Sequence, residues 1–294
     1  MYLRSRVWLP SKARSNSPFL RRLLDEGIEF IIWVEPQDEA DYVRALGGAH
    51  VRVIPENDMG VTYVRQLILD EARKIGSSVF MLDDDMVGFV RFFENPSGGR
   101  RQREQISVRE ALEYAEKRFV ESGLVYGCFV HGAFGVFAKP GLNWRKMDYG
   151  SIWLDGSRLP RGIDYDGIPG REDLYLAIRL VLAGVPAACD NDVSAVHRPS
   201  ADPKNSGGLQ AWYSNWEQNV VSANDELVRR LDSLRDELVG TLPERSREQF
   251  SKRPLYRKYE VSHGPLKGLV DVRPSWSATI KLRNALHEGV LEPI

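Results

Sequence analysis

Ser-Val-Phe-Met-Leu-Asp-Asp-Asp, residues 78–85, is the stretch that decides the fold of this chain. Its first five residues are mostly large and apolar, which is typical of a strand buried inside a sheet. Three consecutive aspartates stand at the end of that strand, where their like charges repel and burial raises the cost further. A divalent cation removes this cost. The stretch therefore predicts a metal site at a strand end, and the alternative is a solvated turn.

The residues before this aspartate triplet alternate between apolar runs and amphipathic segments. Strands are predicted over residues 6–10, 29–34, 51–54 and 78–82, and helices over 19–26, 38–46 and 61–75. This alternation across short connections favours an α/β fold with a mostly parallel sheet flanked by helices. Ligands of such sheets bind beyond the carboxyl ends of the strands. We therefore expect the loop at residues 10–14 to lie beside the triplet, a position that favours a ligand site over a solvated turn.

The rest of the chain is less regular. We expect a glycine- and arginine-rich loop over 95–103, a helix over 108–122, one or two strands within 125–138, a long connection over 139–170 and a helix over 172–183. Residues 212–239 are typical of a charged helix, and the tail from Gly240 has ten Lys or Arg against six Asp or Glu. These changes predict a first domain over residues 1–210 and a mainly helical, modestly basic C-terminal extension over 211–294.

The composition restricts the class of function. The 294 residues carry 40 basic and 41 acidic side chains, and this net charge of −1 argues against a protein that coats nucleic acid by charge alone. Cys128 and Cys189 form no CxxC pair, so neither a structural zinc site nor a disulfide framework is expected. No signal peptide is visible, and no segment reaches the roughly 20 apolar residues of a membrane span. We therefore expect a cytoplasmic protein with no membrane partner.

The spacing of the aspartates indicates which of them act together. On an extended segment the first and third side chains point to the same side, so Asp83 and Asp85 are expected to share one ligand. Hard cations such as Mg²⁺ and Mn²⁺ prefer carboxylate oxygens and keep open positions for phosphate. The triplet therefore predicts a site for Mn²⁺ or Mg²⁺ with a bound phosphate group.

Four short motifs and one histidine follow one another in an order typical of one fold family. They are Pro10-Ser11-Lys12-Ala13-Arg14, Gly60-Val61-Thr62-Tyr63-Val64-Arg65, Met81-Leu82-Asp83-Asp84-Asp85-Met86, Gly170-Arg171-Glu172-Asp173 and His197. Each motif alone is weak, but their order and spacing over residues 3 to about 208 resemble the GT-A glycosyltransferases. Within these, the chain resembles the TET-associated glycosyltransferase group of bacteriophages.

The resemblance implies a GT-A (Rossmann-like) fold and a UDP-sugar donor, with glucose or galactose as the sugar and the metal ion at the diphosphate. It also implies 5-hydroxymethylcytosine in DNA as the acceptor and, for a phage enzyme, the host cytoplasm as the location. A polysaccharide, protein or small-molecule acceptor is the first alternative. The others are a nucleotidyltransferase, although residues 10–17 lack its glycine-rich phosphate loop, and a DNA-binding module with an inactive transferase domain.

The same resemblance assigns catalytic and metal-binding residues. Asp173 would be the general base that deprotonates the acceptor hydroxyl, and Glu172 would orient the acceptor, which requires inversion at the anomeric carbon. If configuration is retained, the two carboxylates would instead stabilise positive charge on the sugar ring. Capping of a helix N-terminus is the structural alternative for both. Asp85, Asp83 and His197 would hold the metal, although a lone histidine is more often structural.

Further residues are expected to contact the substrates. For the nucleotide-sugar these are Pro10, Ser11, Arg14, Arg65, Asp83, Asp84, Gly207 and Gly208. For the acceptor they are Trp144, Trp153 and Arg171, since indoles stack on sugars and on bases lifted from a duplex. Arg100, Arg101 and Arg103 would contact DNA phosphates. The alternatives are ordinary surface arginines, a flexible glycine loop, tryptophans packed in the core and a solvated charged loop.

Overall fold

The computed structural model describes residues 3–132, 135–144, 147, 151–165, 168, 170–197, 216–262 and 268–287. The chain divides into two compact units, Met1–Arg161 with Pro186–Gly208 and Gly162–Val185 with Leu209–Ile294. The expected domain boundary near residue 210 stays a prediction. The contacts group one segment that precedes it, Gly162–Val185, with the C-terminal elements.

Two sheets make up the first unit. Its strands are β1 (Arg6–Pro10), β2 (Phe30–Val34), β3 (Val51–Val53), β4 (Ser78–Met81), β5 (Met86–Phe93), β6 (Gln102–Ile106), β7 (Tyr126–Phe129), β8 (Leu142–Asn143), β9 (Ile152–Asp155), β10 (Ala187–Asp190) and β11 (Val193–His197). The large sheet has the order β3-β2-β1-β4-β9-β7-β10-β8, and the small sheet has the order β11-β5-β6. In the large sheet β8 and β9 pair antiparallel to their neighbours, and the other pairs are parallel.

Helices of the first unit connect and flank these strands. They are α1 (Pro18–Asp25), α2 (Glu39–Leu46), α3 (Gly60–Ile75) and α4 (Val108–Glu121). All four, and the strands β1 to β4, agree with the predicted bounds to within one residue at each end. Gly76 ends α3 with a left-handed φ of 60°, and β4 begins two residues later. This sharp stop delivers the aspartate triplet to the carboxyl edge of the sheet.

The large sheet has the burial that its apolar sequence predicts. Leu9, Ile32 and Phe80 on three adjacent parallel strands are fully buried in the same core cluster. A mostly parallel sheet covered by helices on its faces is the arrangement of a GT-A fold, so the predicted fold class is confirmed.

Among the strands of the first unit that were not predicted, β9 and β5 matter most for the site. β9 lies inside the segment expected to be a long connection, and it pairs antiparallel with both β4 and β7 in the middle of the large sheet. β5 begins at Met86, directly after the triplet, and turns the chain into the small sheet. Both pairings join residues that are far apart in the sequence, and a short run of apolar residues does not reveal such partners.

The second unit is mainly helical, as predicted for the C-terminal part. It contains α5 (Glu172–Leu182), α6 (Trp216–Thr241), α7 (Glu244–Ser251), the antiparallel pair β12 (Tyr256–Glu260) and β13 (Val270–Pro274), and α8 (Trp276–Leu286). Ile178, Leu227, Leu231 and Leu282 meet in its own apolar core. In the part of the chain that the structure describes, no helix is both long enough and apolar enough to cross a membrane.

Candidate functional site

Asp83, Asp85 and His197 converge at the carboxyl edge of β4. One ligand atom from each residue lies within 4.8 Å of those of the other two, and all three residues are half-buried. The pairing of the small sheet explains the convergence. Met86 follows Asp85 and starts β5, and its partner in the antiparallel strand β11 is His197. The strand pairing therefore brings the imidazole to the two carboxylates, although about 110 residues of chain separate His197 from Asp85.

Asp83 lies between Arg65 and His197. Arg65 Nη2 donates to its Oδ1 at 2.9 Å, and His197 Nε2 lies 3.3 Å from its Oδ2. Burial alone would raise the pKa of Asp83, but the charges of Arg65 and His197 outweigh burial and hold the pKa well below its usual range. Asp83 is therefore ionised at neutral pH.

His197 is held by the same carboxylates. Burial would lower its pKa, but the hydrogen bond to Asp83 and the charges of Asp83 and Asp85 raise the pKa above its ordinary value. Ser151 Oγ also lies 3.4 Å from Nε2. The two aspartates thus favour the protonated form of the imidazole. Two carboxylates and one imidazole suit a divalent cation that takes mixed oxygen and nitrogen ligands, and the donor set therefore fits the implied metal.

Asp84, the middle residue of the triplet, is only 4% exposed, and its predicted contact with the nucleotide-sugar stays a prediction. Ser11 Oγ donates to its Oδ2, Arg14 Nη1 donates to its Oδ1 at 2.6 Å, and Ser17 Oγ donates to its backbone carbonyl at 2.6 Å. Burial raises the pKa of Asp84 to about 6, against the opposing charge of Arg14. These contacts fasten the loop after β1 to the triplet, and the predicted proximity of the two is confirmed.

A further polar cluster at this edge was missed by sequence reasoning. Lys12 Nζ lies 2.8 Å from Glu35 Oε2 and 2.6 Å from Asp58 Oδ1. Gln37 Nε2 donates to Glu35 Oε2 at 2.6 Å. Glu35 directly follows the apolar strand β2 and is 2% exposed. An acidic residue at the end of a buried parallel strand was the signal that identified the triplet, and the same signal could have found Glu35.

The predicted catalytic carboxylates lie in the second unit, at the start of α5. Glu172 is buried, and Asp173 Oδ1 accepts a hydrogen bond from the backbone N–H of Leu174 at 2.7 Å. Arg171 precedes them. Its Nε donates to Asn224 Oδ1 at 3.0 Å and its Nη2 to Asp271 Oδ1 at 2.7 Å. The guanidinium of Arg171 is thus engaged within its own unit, and its acceptor role stays a prediction.

The two tryptophans that were expected to contact the acceptor differ in their burial. Trp153 lies in β9, is 1% exposed, and its indole N–H donates to Ser5 Oγ at 2.8 Å. This burial contradicts the expectation that Trp153 stacks on an acceptor, because a ring inside the sheet has no free face. Trp144 packs against the same core but is partly exposed. Gly207 and Gly208 lie outside the described residues.

The expectation that Arg101 contacts DNA phosphates is also wrong. Arg101 is bound to Asp192 and to the backbone carbonyls of Phe92 and Asn191, and its side chain is 8% exposed. It therefore fastens the loop to the first unit and offers no surface to DNA phosphates. Arg100 lies over the ring of Phe137 at 4.7 Å, and Arg103 is exposed on the edge strand β6.

Comparison with known families decides the classification. The model of the TET-Associated Glycosyltransferase family matches residues 5–203. The chain belongs to this family. The matched region includes the triplet, His197 and the Glu172-Asp173 pair, so both sets of predicted site residues lie within the part shared with TET-associated glycosyltransferases. No curated protein matches the chain at a significant level.

Proposed function

We propose that this TET-associated glycosyltransferase is a metal-dependent enzyme that transfers a hexose, glucose or galactose, from a UDP-sugar to 5-hydroxymethylcytosine in DNA. The observation that carries the proposal is the convergence of Asp83, Asp85 and His197 within 4.8 Å at the carboxyl edge of a parallel sheet. Ligands of such sheets bind at this edge. Family membership supports the transferase reaction.

Asp85, Asp83 and His197 would hold Mn²⁺ or Mg²⁺. When bound, the ion supplies positive charge that stabilises the diphosphate of the departing UDP. Neighbouring residues hold these side chains and the adjacent loop in place. Arg65 fixes Asp83, and the contacts of Asp84 with Ser11, Arg14 and Ser17 hold the loop that follows β1 against the triplet. Pro10 begins that loop, and the uridine of the donor would bind beside it, near Lys12 and Glu35.

Asp173 is the proposed general base, and Glu172 the residue that orients the acceptor. Asp173 would take the proton from the hydroxymethyl oxygen as that oxygen forms a bond to the anomeric carbon and the bond from that carbon to UDP breaks. This assignment requires inversion. In a retaining reaction, the two carboxylates would instead stabilise positive charge on the sugar ring. Arg171 and Trp144 are the proposed acceptor contacts. Trp153 is not among them, because its ring is buried in the sheet.

Nucleoside mass spectrometry tests the acceptor and the sugar together. DNA that contains 5-hydroxymethylcytosine is incubated with the enzyme, Mn²⁺ and each of a panel of UDP-sugars. We expect the modified nucleoside to gain the mass of one hexose with UDP-glucose or UDP-galactose. Asp85→Asn should abolish the gain, whereas Asp70→Asn, which removes a charge from the exposed face of α3, should retain it.

Two outcomes would contradict the proposal. Activity on a glycan, protein or small molecule, with no gain on modified DNA, would overturn the acceptor. Unchanged turnover in Asp85→Asn would overturn the site itself, because a metal-dependent transferase does not tolerate loss of a metal-binding carboxylate.

A further inference from the structure

An exposed group of basic side chains lies at the start of the β12–β13 pair in the second unit. Lys252, Arg253, Arg257 and Lys258 are all exposed. Among the residues that the structure describes, none of the four has an acidic partner within ion-pair distance. The whole chain has a net charge of −1, so positive charge left without partners at one place is not a consequence of an overall basic composition.

The register of the two strands adds a like-charge contact. Arg257 of β12 and Arg273 of β13 are direct cross-strand partners. Cross-strand partners lie side by side on one face, and two like charges there are destabilising. Arg273 Nε lies 3.7 Å from Asp271 Oδ2, but Arg171 already binds Oδ1 of the same carboxylate at 2.7 Å. One carboxylate thus serves two guanidiniums, and Arg257 remains without compensation.

We infer that this surface, formed by Lys252, Arg253, Arg257 and Arg273 and called here the basic hairpin, binds the phosphodiester backbone of a DNA duplex. Phosphates placed between these side chains would remove the repulsion and form charge-assisted hydrogen bonds with the arginines. The major groove of duplex DNA also admits a two-stranded β-ribbon. The inference rests on the proposed DNA acceptor, and it gives a role to a segment beyond the family match, which ends at residue 203.

The apolar residues around the β12–β13 pair favour DNA over an anionic membrane surface as the partner of the basic hairpin. Leu255 and Val272 are buried in the core of the second unit, and of the two strands' large apolar side chains Val270 is the one that is strongly exposed. Peripheral membrane segments insert a broad apolar face beside their basic residues. The basic hairpin offers charge and little apolar surface, which matches a phosphate backbone.

Salt-dependent binding to an unmodified 20-base-pair DNA duplex, followed by fluorescence anisotropy, tests the inference. Each phosphate contact contributes about 0.9 to the slope of log K against log salt concentration, and about eightfold in affinity at 0.1 M salt. Arg253→Gln/Arg257→Gln should therefore lower the slope by about 1.8 and the affinity by about 60-fold if both residues contact phosphates. The double variant should not lose folding stability, since it removes like-charge repulsion.

Arg44→Gln/Lys117→Gln is the control with the same change in charge. Both of these residues are exposed, and each has an acidic partner on its own helix. An equal loss of affinity in the control, or no change of slope in the hairpin variant, would overturn the inference. Binding of the wild type to phosphatidylserine vesicles and not to the duplex would overturn it as well.

Metal-dependent release of UDP in the absence of DNA separates this inference from the proposed function. If the wild type releases UDP from a UDP-sugar but does not bind the duplex, the basic hairpin has another role and the transferase site stands. If the wild type releases UDP from no UDP-sugar while the hairpin variant alone loses duplex binding, the inference stands and the proposed donor chemistry fails.

Discussion

Asp190→Asn replaces a buried carboxyl group whose ionisation makes the stability depend on pH. Asp190 ends β10 and is completely buried. Its Oδ1 accepts hydrogen bonds from Arg118 Nη1 at 3.0 Å and from the backbone N–H of Asp192 at 2.8 Å. Its Oδ2 is buried and has no hydrogen-bond partner among the described residues. Burial raises the pKa of Asp190 to about 6, and the charge of Arg118 offsets only part of this rise.

The sign of the pH dependence follows from that pKa. Between the ordinary aspartate pKa of 3.8 and about 6, the folded protein holds a proton on Asp190 that the unfolded chain has lost. Stability therefore falls as the pH rises through this window and changes no further above it. Two pKa units correspond to roughly 3 kcal/mol. An asparagine side chain does not titrate, so the Asp190→Asn variant lacks this loss.

Urea unfolding of the wild type and of Asp190→Asn at pH 4.5, 5.5 and 6.5 measures the difference. We expect the free energy of unfolding of the variant, relative to the wild type, to increase by about 2 kcal/mol over this range. Any constant cost of the asparagine itself, such as a buried N–H group, cancels in the comparison across pH. Asp41→Asn, at an exposed ion pair, is the control and should show little trend. A difference that stays flat to within about 0.5 kcal/mol would refute the reasoning.

Three further substitutions test other parts of the molecule. Arg14→Gln should lower the free energy of unfolding by about 1.5–3 kcal/mol, because it removes a hydrogen bond to a buried charged group; urea unfolding measures the loss, and a loss under about 0.5 kcal/mol would contradict it. Trp153→Phe should cost about 1 kcal/mol or more through the lost bond to Ser5 and leave the KM for the acceptor unchanged, and a raised KM would restore the stacking role. His197→Gln should weaken Mn²⁺ binding, followed by calorimetry in the presence of UDP, by about tenfold or more. Undiminished affinity would exclude His197 as a ligand.

The first 82 residues illustrate what sequence reasoning can establish. The run in β2 is apolar throughout, and the run in β4 is apolar after Ser78, because both faces of a parallel strand are covered. Gly76 marks the end of α3. The carboxyl ends of parallel strands meet at one edge, so the proximity of Ser11 and Arg14 to the triplet followed from topology alone. The bounds of the strands and helices depend on local patterns, and their order then predicts which loops meet at the edge.

Features that depend on distant pairing could not be predicted in this way. β9 is four residues long and is fixed by its two antiparallel neighbours, and this explains why Trp153 is buried although it lies in a segment rich in glycine and aspartate. The position of His197 depends on the pairing of β11 with β5, and only the family resemblance pointed to it. The binding of Asp84 by Ser11, Arg14 and Ser17 also has no signal in the spacing, since adjacent aspartates look alike in a sequence.

Anomalous diffraction from crystals grown with Mn²⁺ and UDP tests the metal site most directly. We predict one strong manganese peak in contact with Asp85, with Asp83 and His197 as neighbouring ligands and the diphosphate of UDP on its open side. A manganese peak elsewhere, or UDP bound away from the carboxyl edge of β4, would contradict the proposed site.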